Sequence, residues 1–200
     1  MTIEKGKPWG TPGPVPADAV TVRTDAEARA AVEEARRAGE APPPLVLLGG
    51  DLCRTLGGRG EIREGHTHHF PVDIGAALVD GRLHWFVSHL VAMRSWWRGQ
   101  VVMAMNAQWL GDWNVGHRAH PNDGLLDVYD LRLSLPDRWQ ARRRLPSGGH
   151  VPHPGIKYQR SAAVQLDLAR PLPLRLDGQE MGVARALSIR VEPDALTVIV

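Results

Sequence analysis

From about residue 66 onward the chain is built of short apolar runs separated by Gly, Pro, Asn and Asp. Runs near 70–79, 82–91, 100–109, 125–133, 162–168, 173–177, 186–191 and 195–200 have the length and side-chain pattern of strands. Asp80-Gly81, Asp112 and Asn114, Asn122 to Gly124, and Asp177-Gly178 mark the turns between them. Many short strands punctuated in this way predict a mainly β fold, a sandwich or a barrel.

The first part of the chain reads differently. Residues 1–19 are rich in Pro and Gly and are expected to form an extended arm. "VTVRT" (20–24) suits a short strand, Asp25 a helix N-cap, and "AEARAAVEEARRAG" a helix ending at Gly39. "LVLLGG" (45–50) suits a buried strand and "DLCRTLGG" one helical turn. This gives a strand–helix–strand α/β unit over 20–60 and a β domain over 61–200. Residues 136–155 read as a helical turn followed by an exposed, basic, glycine-rich loop.

Composition excludes several classes. A formal net charge of +2 without a patterned basic face argues against nucleic acid. The single cysteine, Cys53, allows neither an intrachain disulfide nor a cysteine zinc site. The polar opening "MTIEKGKPWG" lacks a signal core, and no apolar run reaches spanning length. The expectation is a cytoplasmic protein with no transmembrane segment, at most touching a membrane peripherally.

Three segments carry a resemblance. "LVLLGGDLCRTLGG" (45–58), "HPNDGLLDV" (120–128) and "RPLPLRLDGQEMG…LSIRVEPDALTVIV" (170–200) occur in this order. They resemble the corresponding segments of the diacylglycerol kinase family, which includes the sphingosine kinases. The resemblance implies a β-sandwich like that family's C-terminal domain, preceded by a residual N-terminal α/β unit. It also implies a cleft for a lipid or other small hydroxylated ligand. Asp51, Arg54, Trp85, Trp109 and Trp113 are the implied substrate-side residues.

The departures from the family pattern bear on catalysis. Family members are longer, and a glycine-rich loop in their N-terminal domain wraps the ATP phosphates. Its counterpart here is "RTDAEA" (23–28), with Asp25 at the loop's acid but without its glycines. Glu27 would repel phosphate, so the ATP site reads as dismantled. In the family the residue after Asp-Gly is the general base on the lipid hydroxyl. Here Asp177-Gly178 is followed by Gln179, an amide that accepts no proton, and then by Glu180. Along a strand Glu180 points to the opposite face unless a bulge re-aims it. At the "NDGLLDV" turn the resemblance implies a structural Mg²⁺ held by Asp123 and the Leu125 carbonyl, weakened by Asn122 at the first acid; the alternative is an ordinary Asx turn.

Other clusters stay open. His66, His68 and His69 crowd four residues; His66 and His68 would share a strand face and could ligate zinc with His117, His120 or His153, or the segment could form an exposed polar loop. Five of the seven tryptophans, Trp85, Trp96, Trp97, Trp109 and Trp113, crowd one segment. They could line an acyl groove, fill the core, or meet a membrane surface. Trp96 and Trp97 are adjacent, so in a strand at least one should be exposed. Arg142, Arg143 and Arg144 form a basic run suited to a phosphate, an anionic head group, or solvent.

The reading is a lipid-kinase-like protein that binds an amphiphilic or hydroxylated small molecule without intrinsic ATP phosphotransfer. One alternative is a kinase completed by a homodimer or by a separate nucleotide-binding subunit. Another is different chemistry on the same scaffold, using the His and Trp cluster.

Overall fold

The computed structural model describes residues 9–62 and 67–200. It opens with β1 (Thr11–Pro12), then β2 (Val20–Val22), α1 (Asp25–Ala38), β3 (Leu45–Leu47) and the short helix α2 (Gly50–Thr55). Next come β4 (His68–Val79), β5 (Arg82–Phe86), β6 (His89–Ser95) and β7 (Arg98–Met105). A small separate hairpin follows, β8 (Trp109–Leu110) and β9 (Trp113–Asn114). The remainder is β10 (Leu126–Leu131), α3 (Leu135–Arg144), β11 (Ile156–Ser161), β12 (Ala163–Leu176) and β13 (Gln179–Ile199). Among the described residues no helix is long and apolar enough to cross a membrane.

One continuous hydrogen-bonded path runs β1-β4-β13-β12-β6-β7-β10-β11, with β5 added on β4. Its neighbours are antiparallel. The α/β unit joins through parallel pairing: β3 lies beside both β2 and the end of β13. The sheet folds over on itself as a β-sandwich. Ala77, Phe86, Leu90, Val102, Leu174 and Ile189 meet in its interior. Strands β6, β7 and β10 are apolar on both faces. Leu90, Ala92, Val102 and Ala104 point into the sandwich, while Val91, Val101, Met103 and Tyr129 point outward under α3. A strand covered on both sides loses the simple alternation of a half-exposed one. A third core lies under α1 and α2, where Val32, Leu47 and Leu52 meet Val72, Ile74 and Val198.

Local signals account for the helix ends. Thr24, not Asp25, is the N-cap of α1; its hydroxyl accepts from the Glu27 N–H at 3.1 Å, and Glu27 reaches back to the Arg23 N–H at 2.7 Å. Asp25 is the first helical residue and its carboxylate is free to turn elsewhere. Gly39 closes the helix in the left-handed region. Residues 136–155 do not start with a single turn. Ser134 caps a ten-residue helix whose buried Arg138 donates to the carbonyls of Leu133, Trp96 and Gly99. This clamps α3 to the turn between β6 and β7.

The strand expectations need five corrections, one being that the 100–109 run ends at Met105, with Trp109 in the separate β8. The 82–91 run breaks into β5 and β6, because Val87, Ser88 and His89 give their N–H groups to a side chain rather than to a neighbouring strand. The runs at 162–168 and 173–177 form one bulged strand, β12. The last two runs merge into β13, which begins at Gln179 and absorbs a register shift between Glu192 and Leu196. Finally, β11 was not anticipated, since "IKYQRS" mixes apolar and charged residues without a clean period.

Gly75 on β4 supplies a packing test. A Cβ there would lie 2.1 Å from the ring of Phe86, which is wholly buried. The ring is rigid and enclosed, so Gly75→Ala forces overpacking and should cost about 1–3 kcal/mol. Chemical denaturation checks this; a loss under about 0.5 kcal/mol, the size of an ordinary surface change, would contradict the packing described.

Candidate functional site

The turn between β12 and β13 points back into the fold rather than out of it. Asp177 sits there with φ 50° and is almost fully buried. Its Oδ1 accepts from the N–H groups of Ser88 (2.8 Å) and His89 (3.0 Å), and its Oδ2 from Val87 (2.9 Å). Its own N–H donates to the His89 carbonyl. The carboxylate thus fixes the bend that delivers His89.

His89 is buried, and its Nε2 donates to Asp51 Oδ2 at 3.1 Å. Asp51 lies in the first turn of α2 and keeps an 18% exposed side chain. The Gly111 N–H, at the tip of the β8–β9 hairpin, donates to both Asp51 oxygens at 3.0 Å. Arg54 closes the same corner: it donates to the Gly111 carbonyl at 2.8 Å and lies 3.6 Å over the Trp109 ring. Beneath them Asp25 reaches from α1 to α2, accepting from the N–H groups of Asp51 (2.6 Å) and Leu52 (3.2 Å). This approach requires Gly50, where a Cβ would lie 2.4 Å from Asp25 Oδ1 and where φ is +93°.

Among the described residues, Asp25, Asp51 and His89 are the one group of at least three candidate metal-ligand residues whose ligand atoms lie within 4.8 Å of one another. Burial pushes the Asp25 carboxyl up to about 7; the Asp177 charge adds to this, and the Asp51 and Leu52 N–H groups oppose it. Burial also opposes charge on His89, but the Asp51 hydrogen bond and the Asp177, Asp51 and Asp25 charges outweigh it and raise the imidazole. Burial works to raise Asp51, yet His89 and the Gly111 N–H hold it below the usual carboxylate range. Burial raises Asp177 despite its three N–H partners. The arrangement presents one accessible carboxylate, Asp51, oriented by an imidazole. It can accept a hydrogen bond from a hydroxyl, with proton-holding groups directly behind it.

Of the residues singled out from sequence, Asp25, Asp51, Arg54, Trp109 and Asp177 come together here. Others do not. The Glu180 side chain is 77% exposed and paired with Arg175 at 2.6 Å. A register shift between Pro173 and Arg175 lies beside it, opposite Glu180 to Val183, yet the side chain stays in solvent. Gln179 Oε1 accepts from the buried Arg29, which also binds Glu33 at 2.9 Å. Trp85 donates to Glu192 and packs beside α1. Trp113 packs on Trp96 at a ring separation of 5.1 Å, under α3.

The "NDGLLDV" turn is held by protein groups. Asp123 pairs with Arg160 through Oδ2 and accepts the Leu125 N–H through Oδ1. Asn122 donates to Asp194, and its Oδ1 is buried without a partner. Asp73, from β4, accepts the Gly124 and Asp194 N–H groups at 2.7 and 2.9 Å. A divalent cation bound by Asp123 would have to displace a guanidinium, so this donor set does not fit Mg²⁺ as it stands. Of the histidines, His66 lies outside the described residues. His69 contacts the Pro14 carbonyl, whereas His117 lies edge-on to His150 and tilted beside Tyr158.

Sequence reasoning missed His89, Gly111 and Asp73. His89 stands alone in "FVSHLVA", where a histidine reads as a core residue. Asp73 in "PVDIG" was the more visible signal, an acid inside an apolar run.

The cluster fixes a pH dependence. Asp25, Asp177 and His89 hold protons more tightly folded than unfolded, so unfolding releases them. Stability should fall as pH rises from the ordinary carboxylate range to about 7 for Asp25, and on above 6.5 as the raised His89 loses its proton. Asp51 acts in the opposite sense only at acid pH, where its lowered carboxyl takes up a proton. Melting temperature should therefore drop between roughly pH 5.5 and pH 8, with a shallower drop in His89→Gln. A flat or rising profile across that window would refute the assignment.

Comparison with known proteins bears on the fold. Residues 75–200 match the family model described as the YegS C-terminal NAD kinase beta sandwich-like domain. A solved structure of a diacylglycerol kinase from Bacillus anthracis str. Sterne is similar in fold, with TM-score 0.63 and 16% identity, covering 90% of this chain and 75% of that one. A provisionally named diacylglycerol kinase from the same organism gives TM-score 0.67 and 14% identity, covering 90% and 77%. No curated protein sequence matches significantly. Since that family model matches more than half of its residues, the chain belongs to the family of YegS C-terminal NAD kinase beta sandwich-like domains.

Proposed function

We propose that the chain binds a hydroxylated amphiphile at Asp51, between α2 and the β8–β9 hairpin, and does not by itself transfer phosphate from ATP. The observation that carries this is the state of the turn after Asp177. The position where kinases of this type keep a general base holds Gln179, engaged by Arg29, and the neighbouring acid Glu180 faces solvent. Proton removal from an acceptor hydroxyl needs a base within hydrogen-bond reach of it. The Asp51–His89 pair and the Arg54–Trp109 stack support ligand recognition instead. The name borne by the structurally similar proteins, diacylglycerol kinase, points to a lipid alcohol as the ligand class.

Two measurements test this reading. Short-chain diacylglycerol titrated into the purified chain by calorimetry should bind. Asp51→Asn should weaken binding about tenfold, the loss of one charge-assisted hydrogen bond. In parallel, ATP, Mg²⁺ and the same alcohol should give no phosphorylated product. Turnover by the purified chain that Asp25→Ala abolishes would overturn the proposal, as would an absence of diacylglycerol binding.

A further inference from the structure

The face built by α3 and the β6–β7 turn is unlike the rest of the surface. Its two exposed tryptophans, Trp97 (41%) and Trp139 (53%), lie beside Leu135 (62%), the most exposed large apolar residue among those described. On α3, Leu135, Trp139, Arg142 and Arg143 are spaced i, i+4, i+7 and i+8 and share one side of the helix. The adjoining side, Arg138, Ala141 and then Leu145, is buried. Arg142 lies 5.4 Å from the Trp97 ring and equally far from Trp113, and Arg143 lies 4.6 Å over Trp139. The buried Arg138 ties α3 to the turn carrying Trp97, so these side chains stand on one clamped unit.

The charge here has one sign. Arg142, Arg143 and Arg144 are exposed, and the single acid of α3, Asp137, is held by Ser134 and faces His153. The residue after Trp97, Arg98, lines a cavity of about 540 Å³ together with Arg94 and Arg170, and no acid lines it. Its floor is apolar, from Leu172, Ala169 and Pro171.

We infer that this face docks on an anionic lipid surface. The inference goes beyond ligand binding at Asp51 and stands without it. Exposed Trp and Leu match the interfacial zone of a bilayer, where an amphipathic ring lies with its polar edge in the head groups. Arginine stems run along apolar surface while the guanidinium reaches phosphate. The alternative of single-stranded nucleic acid is disfavoured by the stacking. Arg142 and Arg143 lie against the rings of Trp97 and Trp139, the faces on which bases would have to stack. A protein partner would leave six uncompensated arginines to be matched, whereas an anionic bilayer meets them all with one chemistry.

Vesicle sedimentation with the full chain tests this, using phosphatidylglycerol and phosphatidylcholine vesicles at roughly 0.1 M salt, where screening is partial. The chain should pellet with phosphatidylglycerol and not with phosphatidylcholine. Replacing Arg142, Arg143 and Arg144 together by Gln should lower partitioning on the order of a hundredfold. The pair Arg82→Gln and Arg185→Gln, exposed elsewhere, should leave it unchanged. Brominated lipid should quench the fluorescence of the unaltered chain, and quench the Trp97→Ser, Trp139→Ser variant less. Any one of four results would overturn the inference: no pelleting, equal binding to both lipids, equal loss in the control pair, or a solution dimer that the tryptophan variant converts to monomer.

Discussion

The carboxylate of Asp177 is the interaction on which the rest depends. A buried carboxylate away from water is costly unless hydrogen bonds satisfy it. Here three consecutive backbone N–H groups do so, from Val87, Ser88 and His89. The same bonds relieve a strand break that would otherwise bury unpaired donors. The turn between the two longest strands is thereby tied to the start of β6, and β6 carries His89 at one end and leads into Trp97 beyond the other. Removing the carboxylate would orphan three N–H groups at once and release the imidazole that orients Asp51.

The Asp-Gly turn, the "GGD" helix start and the "NDGLLDV" turn were legible because each depends on local chemistry. Gly50 is required by a left-handed φ and by the nearness of Asp25, so its presence in the sequence carries meaning by itself. The β13 strand was legible only in pieces. The turn-prone Pro193-Asp194 pair reads as a stop, yet the strand passes through it with a register shift, because Asp73 takes the Asp194 N–H from across the sheet. His89 was not legible as a site residue. Its partner is 38 positions away, and nothing local distinguishes it from a core histidine. The helix α3 was underestimated for a related reason. What makes it continue past one turn is the burial of Arg138 against backbone carbonyls of a distant turn, a tertiary contact with no periodic signature.

The β8–β9 hairpin connects the two ends of the molecule. Gly111 at its tip holds Asp51, while Trp113 two residues later packs on Trp96 and lies near Arg142. Only four of its residues are in strands, so it has little ladder of its own and is held by what it touches at each end. The tryptophan cluster thus divides by function. Trp96 is core, Trp109 supports Arg54 in the site, Trp113 bridges, and Trp97 faces outward.

The environment of Gln179 bears on what an acid at this position could do. Arg29 is buried, shares its charge with Glu33, and presents its second nitrogen to Gln179. A glutamate in this place would receive that guanidinium as a salt-bridge partner. An adjacent opposite charge favours the ionised form and lowers a carboxyl's affinity for protons. A general base at neutral pH needs the opposite shift, toward 7. Restoring the acid at 179 would therefore place a carboxylate in the turn without making it an effective base, unless Arg29 were also redirected. The helix α1 that supplies Arg29 and Glu33 thus sets the chemistry of this position as much as residue 179 itself does.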